Sequence, residues 1–275
     1  MAVGHSVGPV RWQLVFESLM AKVAGRFARV EPRRRARAFV LGLLAELPRK
    51  DCWTIAEYAG DSSPAGMQHL LSRACWDADR VRDDIRDFVV EYLGNRDSIL
   101  VVEETGDLKK GAASVGVQRL YTGTAGRIEN SQVAVYLVYS TPVGHAAIDR
   151  TLYIPRSWTQ DPERCRAAII PDNTGFATKP VLATEMIAQA LDAGVTVACV
   201  TADGVYGGDP LLSAELECRQ IAYVLAVSRK RPISPHAGVS TAGMLAHFLP
   251  AKAWQRLSAG DGQRSPLLRL GPGRD

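Results

Sequence analysis

The chain has 275 residues, 47% of them hydrophobic, which is enough for one large domain or two ordinary ones around a real core and excludes a disordered protein. Its net charge is only +4, yet residues 1–50 hold ten Lys/Arg against Glu17, Glu31 and Glu46, leaving a net −3 for the rest: a polyanion-binding region joined to a carboxylate-rich body. The five cysteines (Cys52, Cys75, Cys165, Cys199, Cys218) form no Cys-x-x-Cys pair, no apolar run approaches the roughly 20 residues of a membrane span, and Met1–Arg11 lacks the pattern of a signal peptide, so the expected setting is a reducing cytoplasm.

From Val10 to about Leu93 the apolar spacing is helical, with Trp12, Val15, Phe16, Leu19 and Val23, then Phe39, Leu43, Leu44 and Leu47, recurring at three and four residues. Pro32 suits the first turn of the second of these helices. Trp53–Ala59, the turn Gly60–Pro64 and Ala65–Cys75 follow the outline of a helix-turn-helix, with Gln68, His69 and Arg73 on the second helix; any pair of antiparallel helices gives the same outline. Asp77–Leu93 reads as one more helix, closed by Gly94, and the domain boundary falls at Gly94–Asp97.

Beyond Asn95 the period changes. Ser98–Val102, Gln132–Tyr139 and Ala147–Ile154 read as three strands, with antiparallel pairing expected. Thr178–Ala193 is helical, Val195–Ala202 is a buried β-branched strand, Pro210–Arg219 is helical and Ile221–Val227 is a strand. The order of three strands, helix, strand, helix, strand predicts an α/β fold with a ribonuclease-H-like mixed sheet, preceded by an all-α region. After Ser228 no core period is legible.

Two of these strands run into a carboxylate at a Gly-containing turn: Glu103 before Glu104-Thr105-Gly106, and Asp203 before Gly204-Val205-Tyr206-Gly207. Carboxylates at the carboxyl ends of neighbouring strands can bind Mg²⁺, a hard ion that polarises phosphate and activates the attacking oxygen. Each taken alone reads equally as a solvated turn residue or a helix cap. Arg26, Arg29, Arg33 and Arg37 recur at helical spacing and, with Arg34 and Arg35, offer a basic face for phosphates or an ordinary solvated surface. Lys109, Lys110, Arg119 and Arg127 follow Glu103 closely enough to hold a DNA backbone beside it, again with simple surface charge as the other reading.

The strings Glu103-Glu104-Thr105-Gly106-Asp107-Leu108-Lys109-Lys110-Gly111, Ser114–Arg119 and Tyr121–Asn130 resemble the first catalytic block of DDE transposases of the insertion sequence 701 family. The resemblance continues through Asp149–Pro155, Ser157-Trp158, Gly175–Pro180 and Thr201–Gly207, and in the helical part through Arg26–Arg33 and Trp76–Asp79, covering roughly residues 12 to 262. It implies a helical DNA-binding region over residues 1–95 and a ribonuclease-H-like catalytic domain over 96–262. The implied reaction is Mg²⁺- or Mn²⁺-dependent cleavage at transposon ends and joining to target DNA. The implied partners are the double-stranded terminal repeats of an insertion sequence, in a bacterial cytoplasm beside the nucleoid, with self-association expected and no membrane. Glu103 and Asp203 fall on the positions of the first two catalytic, metal-binding carboxylates.

The sequence departs from that family in three ways. Glu stands at 103 where the family has Asp, Asp107 replaces an apolar aromatic residue, and no Glu at all follows Val227, where the family carries its third carboxylate in a Tyr, Arg, Glu, Lys pattern. A nuclease acting alone would need a substitute such as Glu129, Glu163 or Asp209 near Asp203. Pro266–Pro272 can be encoded so that the DNA read one base later resembles the family. That places a frameshift near Gln263–Ser265, with residues 263–275 a non-native or disordered tail. The expectation is a C-terminally truncated transposase by descent with little or no strand cleavage, or else a non-catalytic DNA-binding competitor of the intact enzyme.

Overall fold

The computed structural model describes residues 8–122, 126–233, 240–258 and 267–270. It divides into two compact units, Met1–Gly94 with Val143–Asp149, and Asn95–Pro142 with Arg150–Asp275.

The first unit holds helices α1 (Pro9–Val23), α2 (Val30–Leu44), α3 (Cys52–Tyr58), α4 (Ala65–Ser72) and α5 (Ala78–Leu93). Their starts follow from local chemistry. Pro9 opens α1, where its missing N–H costs nothing. Asp51 accepts from the Trp53 and Thr54 amides in a capping box, and Asp77 accepts from the Arg80 amide to begin α5. Phe16, Met20 and Val23 bury the inward stripe of α1 against Phe27 and Leu70, while Ile55, Ala56 and Met67 join α3 to α4. Phe39 of α2 packs against both clusters. A Cβ added to Gly66 would lie 1.7 Å from Arg35 Nη1, so this glycine lets the Arg35 guanidinium cross α4 and reach Asp61 at 2.6 Å in the α3–α4 turn.

The second unit is built on a mixed sheet of order β2-β3-β1-β5-β6. Its strands are β1 (Ile99–Leu108), β2 (Gln118–Thr122), β3 (Arg127–Thr141), β5 (Cys199–Ala202) and β6 (Tyr223–Leu225), while β4 (Gly144–Leu152) falls mostly in the first unit. β1 pairs antiparallel with β3 and parallel with β5, and β5 pairs parallel with β6. This is the ribonuclease-H-like α/β arrangement expected from the order of elements. Strand alternation puts Leu100, Val102, Val133, Val135, Leu137, Tyr139, Val200 and Ala202 on one buried face. Ala183, Met186, Ile187 and Ala190 of α8 (Lys179–Asp192), with Leu212 and Leu216 of α9 (Pro210–Cys218), supply the helical layer of this core.

Several boundaries differ from those read in the sequence. β1 does not stop at Glu103 but runs on to Leu108, because β3 keeps pairing with it as far as Leu108↔Ser131. Glu104-Thr105-Gly106 is therefore strand, not turn. β5 is shorter than Val195–Ala202, and β2, α6 (Arg156–Thr159) and α7 (Pro162–Ala167) carry no period that the sequence displays. Beyond Ser228 there is local structure: β7 (Pro232–Ile233) pairs with β8 (Ser240–Thr241), α10 covers Ala242–Phe248, and β9 (Gln255–Ser258) pairs with β10 (Leu267–Leu270). Gly123–Ala125 of the Tyr121–Asn130 string, Gln263–Ser265 at the frameshift position and residues 271–275 lie outside the described residues.

Candidate active site

The last parallel pair between β1 and β5 is Val102↔Ala202, after which β5 leaves the sheet while β1 continues along β3. Glu103 is the next residue on β1 and Asp203 the first residue after β5, so they are neighbours at this fork. Alternation turns Glu103 to the face opposite Val102. Both are exposed. Partial burial, followed by the neighbouring charges of Asp203 and Glu104, pushes the Glu103 carboxyl above its ordinary value.

Asp203 is fixed by its turn. Its Oδ1 accepts from the Val205 amide at 2.8 Å, and its carbonyl accepts from the Gly207 amide at 2.9 Å. Gly207 passes so close to the end of β6 that a Cβ there would lie 2.0 Å from the Ala226 carbonyl oxygen, which explains a glycine at this point of the motif. Among the described residues, neither Glu103 nor Asp203 forms an ion pair with a cationic side chain. Two adjacent hard oxygen donors without a counter-charge are suited to a divalent cation of the Mg²⁺ class. Among the described residues, however, no group of three or more His, Cys, Asp or Glu comes together to hold a metal.

Two of the three candidate substitutes for a third carboxylate are engaged elsewhere. Glu129 pairs with Arg127 at 2.8 Å, Asp209 caps α9 through the Leu211 amide, and Glu163 lies in the first turn of α7. A self-sufficient nuclease site from these residues is not formed among the described residues.

Glu104 lies on the opposite side of β1 from Glu103 and is fully occupied. Lys179 Nζ donates to both of its carboxylate oxygens at 2.8 and 2.7 Å, and the Tyr206 hydroxyl donates to Oε2 at 3.2 Å. Tyr206 has no exposed surface, and burial, then Glu104, Asp203 and Glu103, raises its phenol well above the ordinary value. Reading the sequence gave no role to Lys179 or Tyr206, although both lie inside motifs that carry the resemblance. Nothing in their spacing shows that residues 75 and 102 positions from Glu104 meet it.

The basic residues separate into two groups. Arg26 clasps Asp84 through two bonds of 2.7 Å, Arg35 binds Asp61, and Arg37 binds Glu17. Arg29, Arg33 and Arg34 are exposed and make no ion pair among the described residues. On α4, Met67 and Leu70 are buried while Gln68, His69, Ser72 and the following Arg73 face solvent. Lys110 and Arg119 are exposed, and Lys109 is half-buried where its amide donates to Asn130. The loop they flank is tied down by Gln132 on the Val115 carbonyl, by Trp158 on the Val117 carbonyl, and by Arg164, which reaches the Ala112 carbonyl and stacks over Trp158 at 3.8 Å. No helix among the described residues is long and apolar enough to cross a membrane.

Comparison with known proteins places these residues in a family. The DDE superfamily endonucleases match residues 22–244, a stretch that contains both Glu103 and Asp203. A probable transposase for insertion sequence element IS701 from Microchaete diplosiphon is 30% identical over 190 residues, which is 68% of this chain and 47% of that protein. The chain thus spans about half the length of the curated relative it matches. With two carboxylates set side by side at the fork of a mixed sheet inside the matched stretch, the chain belongs to the DDE superfamily of endonucleases and is of the insertion sequence 701 transposase type.

Proposed function

We propose that this chain is by descent a transposase of insertion-sequence DNA which binds double-stranded terminal repeats, holds Mg²⁺ or Mn²⁺ between Glu103 and Asp203, and cuts little or not at all by itself. The observation that carries the reading is the meeting of Glu103 and Asp203 at the β1–β5 fork, within the stretch matched by the family. A cation bound there would polarise a scissile phosphate and activate the attacking water or hydroxyl. The chain's own contribution is to fix Asp203 in its turn and to present Glu103 from a strand paired on both sides up to Val102. Weak cleavage is supported by Glu at 103, whose oxygens lie about 1.5 Å farther from the backbone than those of Asp. Catalytic constellations tolerate displacements of about 0.5 Å. The absence of a three-carboxylate group among the described residues points the same way.

The test is a nicking and joining assay on insertion-sequence-end DNA with Mn²⁺, using the full chain and Asp203→Ala. Equal background from both proteins is expected. Cleavage by the wild type that disappears in Asp203→Ala overturns the proposal of an idle site.

The exposed Arg29, Arg33 and Arg34 and the solvent face of α4 favour a second reading, a non-catalytic DNA binder that competes with an intact transposase. A gel shift with the terminal repeat is the measurement; no shift at moderate salt removes it.

A further inference from the structure

Lys179 stands at the start of α8, just after the cap Thr178, where the helix dipole disfavours a cation. Lys in this place breaks a local rule, and breaks of that kind need a compensating contact. The compensation is Glu104, which takes both oxygens to the ammonium and also accepts from Tyr206. The three side chains come from three separate parts of the unit: Glu104 from the middle of β1, Lys179 from the start of α8, and Tyr206 from the turn that follows β5. Glu104 follows Glu103 directly, and Tyr206 belongs to the same turn as Asp203, whose carbonyl accepts from the Tyr206 amide at 3.2 Å. Beyond Val102↔Ala202 no strand pairing holds β5 to β1, so the relative position of Glu103 and Asp203 must be set by something else.

We infer that Glu104, Lys179 and Tyr206 form a clamp behind the carboxylate pair, fastening the Asp203 turn and the head of α8 to β1 and so fixing the spacing at which Glu103 and Asp203 meet a cation. These are positioning residues, not ligands. Glu104 has its oxygens committed to Lys179 and Tyr206, and alternation turns it away from the face of Glu103. Partners of this kind, which orient ligands without touching the metal, typically change metal affinity by about 10- to 100-fold when removed. The clamp rests on the reading of Glu103 and Asp203 as a cation site for its functional meaning, but its mechanical part does not.

The experiment uses the full 275-residue chain. Tyr206→Phe removes one hydroxyl and keeps the buried ring; the double variant Glu104→Gln with Lys179→Met removes the ion pair without leaving a lone buried charge; Lys179→Arg keeps the charge. Three quantities are followed: amide hydrogen exchange of residues 203–208 in EDTA, Mn²⁺ affinity from the paramagnetic resonance of free Mn²⁺, and the thermal midpoint. Tyr206→Phe is expected to speed exchange in 203–208 about tenfold and weaken Mn²⁺ binding about tenfold at an unchanged midpoint. The double variant goes further on both, and Lys179→Arg stays near the wild type. Unchanged exchange at 203–208 in both Tyr206→Phe and the double variant overturns the clamp. So does faster exchange with wild-type Mn²⁺ affinity, because the loosened turn would then have no bearing on the site. If the wild type takes up no Mn²⁺, the cation reading fails, and the exchange data alone decide whether the three residues fasten the turn.

Discussion

The helical unit and the carboxylate end of the sheet treat charge in opposite ways. In the helical unit half-buried arginines meet their opposites: Arg26 with Asp84, Arg35 with Asp61, and Arg82 with Asp79, Asp83 and Asp149. The Arg26 guanidinium holds the Asp84 carboxyl below its ordinary range. At the β1–β5 fork two carboxylates are neighbours, neither paired with a cationic side chain among the described residues, and the one on β1 is held above its ordinary range. The sheet unit does have cations to spend, since Glu104 receives Lys179 and Asp192 receives Arg219. The pattern separates charges paired within the fold from the carboxylate pair to which the proposed function gives a cation.

The largest effect expected from this contrast is in the helical unit. Asp84→Ala leaves Arg26 at a largely buried position without its partner; the Asp84 side chain is 10% exposed and that of Arg26 31%. Breaking a wholly buried pair is severely destabilising, and the exposure of Arg26 discounts that. A fall of about 5 °C in the thermal midpoint by circular dichroism is expected. No change would make the pair a surface ornament and remove one side of the comparison.

The pH dependence follows from the same pair. A carboxyl depressed in the folded state adds stability that is complete above its unfolded value, here the ordinary 3.8, and is lost as pH falls through its folded value. The midpoint of the wild type should therefore lose the Asp84 contribution only below about pH 4. Asp84→Asn should start lower and lack that part of the acid decline, so that the two curves converge in acid. Parallel curves down to pH 2 would deny the linkage.

How much of this was legible beforehand depended on the range of the interaction. The five helices are visible because stripes such as Phe16 and Val23 and caps such as Asp51 act within one or two turns. Glu103 and Asp203 are visible as strand-end carboxylates, and their pairing follows once β1 and β5 are known to be parallel. The continuation of β1 through Glu104-Thr105-Gly106 was hidden, because a glycine in that string reads as a turn and only the long partner β3 keeps it extended. The Lys179–Glu104–Tyr206 contact was hidden for the same reason, since no local rule links residues so far apart. Of the six arginines on the basic face, spacing alone could not show that Arg26, Arg35 and Arg37 are turned to acidic partners.

Those six arginines give the next sharpening. Replacing Arg29, Arg33 and Arg34 with Ala should weaken binding to any duplex and reduce the slope of log affinity against log salt by about 2.7, at about 0.9 per phosphate contact. Replacing Arg37, which binds Glu17, should change the slope less. Fluorescence anisotropy on one duplex across a salt series measures both. Equal slopes for the two sets would mean that ion pairing inside the unit does not decide which cations reach DNA.

The smallest effect is the most diagnostic. Glu103→Gln keeps the shape of the side chain and removes one of two like charges at a partly buried fork. Like charges a few ångströms apart near a protein surface repel by an amount that solvent reduces but does not cancel. In EDTA the variant should therefore melt about 1–3 °C above the wild type, in contrast to Asp84→Asn. With Mn²⁺ present the order should reverse, because a cation bound only by the folded wild type raises its midpoint and an amide is a poorer ligand than a carboxylate. Differential scanning calorimetry under the two conditions supplies both numbers. A variant that melts lower than the wild type in EDTA would make Glu103 an ordinary fold-maintaining carboxylate like Asp84, and the distinction between the two regions would fail at its central residue.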